Sequence, residues 1–128
     1  MKKQTSIAII AHDNKKADMI QFLIKNGIAL QHDKVKLIAT GILGRNAEKS
    51  GFKVKKMLPC LMGGDAQIAS KVAAGKINVV FMFTDPLVTN AHEVDIKMLV
   101  RICDVHNVPL ATNEATAQLF LNAIVQRL

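Results

Sequence analysis

Hydrophobic positions follow two different periods along the chain. Short apolar runs rich in β-branched residues predict strands, and segments with apolar residues three and four positions apart predict amphipathic helices. Five strands are predicted at residues 5–11, 35–39, 53–58, 77–83 and 108–111. A helical segment follows each of them, which is the pattern typical of a parallel sheet with helices on its faces.

The helical segments are identified by their apolar stripes and by residues typical of helix ends. After the first strand, a stripe extends over residues 17–24, and Gly27 is predicted to be the C-cap glycine. Residues 65–74 begin with an acid and are followed by Gly75. Further helices are predicted at residues 45–50, 96–103 and 114–127. The sequence therefore predicts an α/β fold, with one domain over residues 1–128 and a doubly wound, mainly parallel five-stranded sheet with helices on both faces.

The apolar runs and the cysteines favour a cytoplasmic protein. The longest runs, at residues 6–11 and 77–83, are far shorter than the ~20 residues that span a bilayer, so we expect no membrane segment. Lys2-Lys3 precede an apolar run that is too short for a signal peptide. Cys60 and Cys103 show no spacing typical of a metal site, and we expect free thiols.

The net charge narrows the class of partner. A formal charge of +7 indicates an anionic partner, which could be a nucleic acid, an acidic surface or a small phosphorylated molecule. The chain has five Phe but no Trp or Tyr, which leaves little for stacking on nucleic-acid bases. Because its lysines are also scattered, a nucleic acid is the least favoured of the three.

Unusual polar segments follow the predicted strands, at the edge where parallel sheets bind ligands. Ligands of such sheets lie outside the carboxyl ends of the strands, where helix N-termini also point. The segments, in strand order, are Ala11-His12-Asp13, Ala39-Thr40-Gly41, residues 59–65, residues 84–95 and Ala111-Thr112-Asn113. We therefore expect residues that are distant in sequence to meet in one site.

The clearest local signal is Gly63-Gly64-Asp65. Paired glycines let the backbone approach a ligand closely, and the acid lies at a predicted helix start. Asp65 could instead be a simple N-cap. We favour a functional role, because a cap does not need two preceding glycines. The chain has neither a P-loop nor a GxGxxG motif, so no nucleotide cofactor is indicated.

The other candidates have structural alternatives of similar weight. Asp13 is as well explained by an N-cap as by a site, and Lys16 alone is more typical of a solvated lysine, although an adjacent anion site improves its case. Thr40 and Gly41 offer a hydroxyl and closely approaching amides, or form only a turn.

Three further histidines and the two cysteines are the remaining residues with possible chemistry. His92 lies three residues before Asp95 at a helix start, where the helix dipole favours a neutral imidazole that can donate a hydrogen bond. Alternatively, Asp95 merely stabilises the helix beside a surface histidine. Cys60 is more typical of an inert thiol than of a reactive one. Cys103 is predicted in the core, and His32 and His106 are predicted at the surface.

Six of these motifs, in order and spacing, resemble the methylglyoxal synthase family. They are Ala11-His12-Asp13, Ala39-Thr40-Gly41, Gly63-Gly64-Asp65, Asp85-Pro86-Leu87, His92-x-x-Asp95 and Ala111-Thr112-Asn113. The resemblance implies elimination of phosphate from dihydroxyacetone phosphate to give methylglyoxal, without metal or organic cofactor. It also implies a cytoplasmic homo-oligomer, hexameric in several members.

The resemblance also assigns roles to individual residues. Asp65 matches the catalytic base, His92 the imidazole that handles protons, and Asp13 and Asp95 supporting carboxylates. The matching substrate-binding positions are His12, Lys16, Thr40, Gly41, Ile42, Leu43, Pro59, Cys60 and His92. The chain departs from the family at two of these loops, because Ile42 and Leu43 replace hydroxyl residues and Pro59-Cys60 replace Ser-Gly.

A second interpretation is a non-catalytic module that binds phosphorylated metabolites. The regulatory domain of carbamoyl-phosphate synthetases, a related domain, binds ligands of this kind without catalysis. Asp65, His92 and Asp95 favour catalysis, since carbonyl-assisted proton removal needs a carboxylate base and a neutral hydrogen-bond donor.

Overall fold

Five parallel strands form the centre of the protein. The computed structural model describes residues 4–87 and 95–128. The strands are β1 Thr5–Ala11, β2 Val35–Ala39, β3 Val54–Lys56, β4 Val79–Phe83 and β5 Leu110–Ala111. Their order in the sheet is β3-β2-β1-β4-β5, and every neighbouring pair is parallel. The predicted α/β fold with a doubly wound sheet is therefore confirmed.

Helices cover both faces of the sheet. They are α1 Lys16–Lys25, α2 Gly27–Leu30, α3 Gly41–Lys49, α4 Gly64–Ala73, α5 Ile96–Val105 and α6 Glu114–Val125. Alternate residues of β1 enter opposite cores, because successive side chains of a strand point to opposite faces. Ile7 and Ile9 pack with α1, α2, α3 and α6, whereas Ala8 and Ile10 pack with α4 and α5.

The strand order creates a crevice between β1 and β4. The chain passes from β1 to β2 and β3 on one side, and then crosses to β4 and β5 on the other side. Ala11 at the end of β1 is in register with Phe83 at the end of β4. The loops that start at His12 and Thr84 therefore leave the sheet side by side, at the point where doubly wound sheets bind ligands.

The prediction of a C-cap glycine at Gly27 is wrong. Helix α1 ends at Lys25, and Asn26 is the C-cap, with φ −108° and ψ 25°. Its side-chain amide donates to the Phe22 carbonyl and to Gln118 Oε1 on α6. Gly27 starts the short helix α2 instead, so no left-handed residue is needed there. Gly75, in contrast, has φ +75° directly after α4 and its C-cap Ala74, as expected of a helix-ending glycine.

Several strands and helices also begin or end at residues other than those predicted. Strands β3 and β5 at the sheet edges are shorter than predicted, whereas β1 and β2 match their predicted bounds. Helix α3 begins at Gly41 rather than at residue 45, because Thr40 takes the N-cap position with an extended backbone. None of the helices over residues 4–87 and 95–128 has the length and hydropathy required to cross a membrane.

Candidate functional site

The candidate residues lie on the loops that leave the carboxyl edge of the sheet. This edge holds a small cavity of about 290 Å³ between Lys15, Thr84 and Asn113. Two larger cavities, of about 380 and 660 Å³, include Gln4 just before β1 and therefore lie toward the opposite, amino edge. The candidate residues therefore lie at the strand ends, on the loops of this edge.

His12 is buried where β1 ends, with 2% of its surface exposed. Its backbone N–H donates to the Phe83 carbonyl at 3.0 Å, which continues the β1–β4 pairing by one residue. Its Nδ1 accepts a hydrogen bond from the backbone N–H of Asp85 at 2.7 Å. Its Nε2 is buried and has no hydrogen-bond partner among the described residues. Two loops thus hold the ring, and one of its nitrogens is buried without a partner among the described residues.

Asp13 and Lys16 form an ion pair one turn apart. A 3₁₀ turn over Asp13–Lys15 leads into α1, whose N-cap is Lys15, so Asp13 does not cap α1. Lys16 Nζ lies 2.7 Å from Asp13 Oδ1. The lysine side chain is 21% exposed and the aspartate side chain 73% exposed. Lys16 is therefore a partly desolvated cation in a fixed position, unlike a fully solvated surface lysine.

The start of α3 offers hydrogen-bond donors to an anion. Thr40 is 2% exposed, and its hydroxyl makes no hydrogen bond within the described part of the chain. The N–H of Gly41 donates to Leu58 and that of Gly44 donates to Thr40. The N–H groups of Ile42 and Leu43 have no such acceptor in residues 4–87 and 95–128. First-turn N–H groups and the helix dipole attract anions.

The two apolar residues of this loop differ in exposure. The Ile42 side chain is 48% exposed, whereas Leu43 is completely buried in the core beneath α3. Leu43 can therefore offer the site its backbone N–H, but its side chain belongs to the core. Only at Ile42 would a hydroxyl side chain lie at the surface.

The loop after β3 explains the paired glycines. Gly63 has φ +101°, a left-handed conformation that side chains disfavour. A Cβ on Gly64 would lie 1.8 Å from the Leu58 carbonyl oxygen. Both glycines are therefore required by the backbone itself and give no support to a functional role of Asp65, which stays a prediction.

Leu58 connects this loop to two helices. Its carbonyl accepts from the N–H of Gly41 at 3.2 Å, and its own N–H donates to Gln67 Oε1 at 2.8 Å. Pro59 follows, and a Cβ on Gly41 would lie 3.1 Å from its ring. Cys60 starts a 3₁₀ turn and is partly buried against the core of α4 and α5. The first turn of α3 is thereby fixed against the first turns of α4.

Asp65 is held by backbone groups of two helices. It is the second residue of α4, whose N-cap is Gly63, so the N-cap interpretation does not hold. Its Oδ1 accepts from the N–H of Ala66 at 2.8 Å, and its Oδ2 accepts from the N–H of Asp95 at 3.0 Å. Asp95 is itself the N-cap of α5, because its Oδ1 accepts from Met98 at 3.1 Å. The structure thus brings the Asp65 carboxylate and the backbone of Asp95 together.

The remaining candidates lie elsewhere or outside the described residues. His92 lies outside them. His32 Nδ1 accepts from the backbone N–H of Lys34 at 3.0 Å, and His106 is exposed. Cys103 is buried in the core, and burial raises the pKa of its thiol to about 11, which keeps it in the unreactive form. Within the described ranges, no three His, Cys, Asp or Glu residues are grouped suitably for a metal ion.

Asn14 and Asp85 are polar residues of the site to which the sequence assigned no role. Asn14 Nδ2 donates to Asp85 Oδ2 at 3.0 Å, and the Leu87 N–H donates to Asp85 Oδ1 at 3.0 Å. The hydrogen bond from Asn14 is the main cause that lowers the pKa of the Asp85 carboxyl, followed by that from Leu87. The Asp-Pro pair was a visible turn signal, but the contact of Asn14 across 71 residues had none.

Comparisons with known proteins agree on one family. A family model described as the MGS-like domain matches residues 18–112. The chain is 45% identical over 116 residues to a methylglyoxal synthase of Clostridium botulinum strain Alaska E43, covering 90% of this chain and 96% of that protein. It is 48% identical over 120 residues to a methylglyoxal synthase of Caldicellulosiruptor saccharolyticus, covering 93% and 84%.

A solved structure shows the same fold. The crystal structure of methylglyoxal synthase from Elizabethkingia anophelis NUHP1 matches with a TM-score of 0.87 and 38% sequence identity. The match covers 92% of this chain and 77% of that chain. The similarity therefore extends over almost the whole chain, well beyond the loops of the site.

Gly64→Ala is expected to destabilise the protein by about 3 kcal/mol or more. The new methyl group would overlap the Leu58 carbonyl, which is backbone and cannot rotate away. Thermal and urea unfolding measure the loss. Gly27→Ala is the matched control, because its Cβ would meet only Phe52 at 3.9 Å. Equal stability of the two variants would contradict the close approach at Gly64.

Proposed function

The chain belongs to the methylglyoxal synthase family and is a lyase, and from that membership we propose that it eliminates phosphate from dihydroxyacetone phosphate to give methylglyoxal. In finer terms, the reaction is a carbon–oxygen lyase reaction on a phosphate ester. One observation carries the proposal: Leu58 joins the anion-binding start of α3 to α4, the helix that carries the Asp65 carboxylate. A phosphate group bound at the start of α3 would therefore lie close to the helix that carries the proposed base.

Asp65 is the proposed general base. The carboxylate takes a proton from the hydroxymethyl carbon next to the carbonyl, and the electron pair of that C–H bond forms an enediolate. The enediolate then expels phosphate by breaking the C–O bond at the other carbon, and the resulting enol becomes methylglyoxal. Two backbone N–H bonds, from Ala66 and Asp95, fix the direction of the carboxylate. Asp95 therefore supports the base through its backbone.

The phosphate is proposed to bind at the start of α3. Donors available there are the hydroxyl of Thr40 and the N–H groups of Ile42 and Leu43. Lys16 supplies the positive charge, and Asp13 holds its ammonium group at 2.7 Å. His92 is proposed as the neutral donor to the developing oxyanion, by family resemblance and its position before Asp95. His12 is a further proposed donor to the substrate.

The ligand class, the cellular location and the oligomeric state are proposed on the same grounds. We propose that the ligands are a small phosphate ester and inorganic phosphate, not a nucleic acid. We also propose a cytoplasmic homo-oligomer without metal or organic cofactor, hexameric as the family resemblance implies. Light scattering on the purified protein measures the assembly. A monomer would contradict the oligomer without affecting the proposed reaction.

Asp65→Asn is expected to lower the rate of methylglyoxal release by about 100- to 10,000-fold, the usual contribution of a general base. The amide has one acceptor oxygen instead of two, so one N–H loses its partner, at a cost of about 1 kcal/mol. Thermal melting therefore falls by only a few degrees. Release of methylglyoxal and phosphate from dihydroxyacetone phosphate measures the activity.

Asp104→Asn is the matched control for this variant. Asp104 is exposed at the opposite end of α5 from Asp95 and should retain full activity. Full activity of Asp65→Asn would remove Asp65 as the base. If the parent protein binds phosphorylated metabolites but never releases methylglyoxal, the non-catalytic regulatory module replaces the proposed function.

Inorganic phosphate is expected to stabilise the folded protein, and Lys16→Ala to weaken that effect. A ligand of the folded state adds ~2.7 kcal/mol at a hundredfold excess over its Kd. Melting curves in phosphate and in chloride of equal ionic strength measure the difference. Lys25→Ala is the control, because Lys25 is exposed at the other end of α1, about 13 Å along the helix. Equal losses in both variants would indicate diffuse charge instead of a site.

Ile42→Thr is expected to lower the KM about ten- to a hundredfold with little change in kcat. The hydroxyl can add one hydrogen bond to the phosphate, worth ~1.5–3 kcal/mol, and the bond exists before and during the reaction. Leu43→Thr tests the geometry at the next position, because its buried side chain cannot reach a ligand. That variant should lose about 2–4 kcal/mol of stability without a gain in affinity. A lower KM in Leu43→Thr would contradict the arrangement of this loop.

A further inference from the structure

We propose that Asn14 and Asp85 are positioning residues for His12, which fix the imidazole as the tautomer with its proton on Nε2. The hydrogen of Nε2 is then available to a phosphate or carbonyl oxygen of the ligand. The consequence for catalysis rests on the proposed function, whereas the tautomer itself is a property of the protein alone.

The hydrogen bond at Nδ1 defines the tautomer. A neutral imidazole has one donor nitrogen and one acceptor nitrogen. The backbone N–H of Asp85 lies 2.7 Å from Nδ1 of His12, and a backbone N–H can only donate. Nδ1 is therefore the acceptor, and the ring proton of the neutral form is on Nε2.

The donor on Nε2 is buried and has no acceptor in the described part of the chain. His12 is 2% exposed, and Nε2 makes no hydrogen bond to any residue within 4–87 and 95–128. A buried donor without an acceptor is unfavourable and is found where a function requires it. Since His12 lies at the end of β1 in the crevice between β1 and β4, an oxygen of a bound ligand is the natural acceptor.

Asp85 holds its own backbone N–H in place. One carboxylate oxygen accepts from the Leu87 N–H two residues ahead, which closes a local turn. The other oxygen accepts from the side chain of Asn14, at 3.0 Å. The loops after β1 and β4 are thus joined twice, once through the ring of His12 and once through Asn14. Without the hydrogen bond from Asn14, residue 85 would be joined to the loop after β1 only by the hydrogen bond that it donates to His12.

The charged side chains near the hydrogen bond between Asn14 and Asp85 do not substitute for it. Asp13 and Lys16 are paired with each other, and Lys15 affects the Asp85 carboxylate less than the hydrogen bonds from Asn14 and Leu87 do. Asn14 is uncharged, so its contact with Asp85 is directional and its geometry can orient the turn. These observations assign Asn14 and Asp85 to positioning, with His12 as the residue that contacts the ligand.

The experiment compares Asp85→Ala, Asp85→Asn and Asn14→Ala with the parent. Long-range ¹H–¹⁵N spectra of the His12 ring report which nitrogen carries the proton, and His12→Gln assigns the signals. We expect the parent to show only the Nε2–H tautomer, with its Nε2 signal shifting when inorganic phosphate is added. Asp85→Ala should populate both tautomers and lower kcat/KM about ten- to a hundredfold, as expected from misplacing a contact group.

Asp85→Asn should rescue the tautomer and keep the activity within about threefold of the parent. Its amide oxygen still accepts from Leu87, and Asn14 can turn its own oxygen toward the new amide N–H. Asn14→Ala keeps the local turn and should give an intermediate result, and because Asn14 is exposed its variant is expected to fold even if Asp85→Ala does not. Asn122→Ala, on exposed α6 surface, is the control and should match the parent.

The outcomes separate this inference from the proposed function. An Nδ1–H tautomer in the parent overturns the inference, even if the protein releases methylglyoxal. Unchanged spectra and activity in both Asp85→Ala and Asn14→Ala also overturn it. A fixed Nε2–H tautomer that is lost in these variants supports it, and it does so even when the parent shows no activity on dihydroxyacetone phosphate.

Discussion

The pairing of β1 with β4 is the constraint on which the site depends. Both strands are buried on both faces, so a shift of one residue would move every side chain into the wrong core. The register Ala11 to Phe83 therefore has no alternative of similar energy. It places His12 beside the loop that begins at Thr84, and the backbone of Asp85 reaches the imidazole only because of it.

A second constraint links the helix starts. Leu58 accepts from Gly41 at the start of α3 and donates to Gln67 in α4, so one main-chain unit sets the distance between two first turns. The absence of a side chain on Gly64 allows this unit to lie against α4. The proposed phosphate site and the proposed base are consequently parts of one rigid assembly, although 24 residues separate Gly41 from Asp65 in the sequence.

Much of the fold could be predicted from the sequence because the central strands are strongly apolar. The bounds of β1 and β2 follow directly from their runs, whereas β3 contains two exposed lysines and pairs with only the last three of the five residues of β2. Gly27 was misinterpreted because the side chain of Asn26 ends the helix through Gln118, 92 residues away. Local patterns do not contain contacts of that kind.

The same limit applies to the site. The loops could be placed at one edge, because the carboxyl ends of all strands in a parallel sheet lie at the same edge. Asp65 and Asp95 do meet there. The glycines were attributed to a ligand because the approach of Leu58 is a tertiary contact without a sequence signal. The link between Asn14 and Asp85 was equally invisible, although each residue lies in a segment that the strand pattern had marked.

The start of α3 tolerates side-chain changes at its exposed position. Its donors at residues 42 and 43 are main-chain groups, which every amino acid except proline supplies. Substitution at the exposed position 42 therefore leaves the main-chain donors of the proposed anion site unchanged and alters only the contacts added around them. Side chains can be exchanged there, and the affinity of the proposed site adjusted stepwise, while the first turn of the helix stays the same.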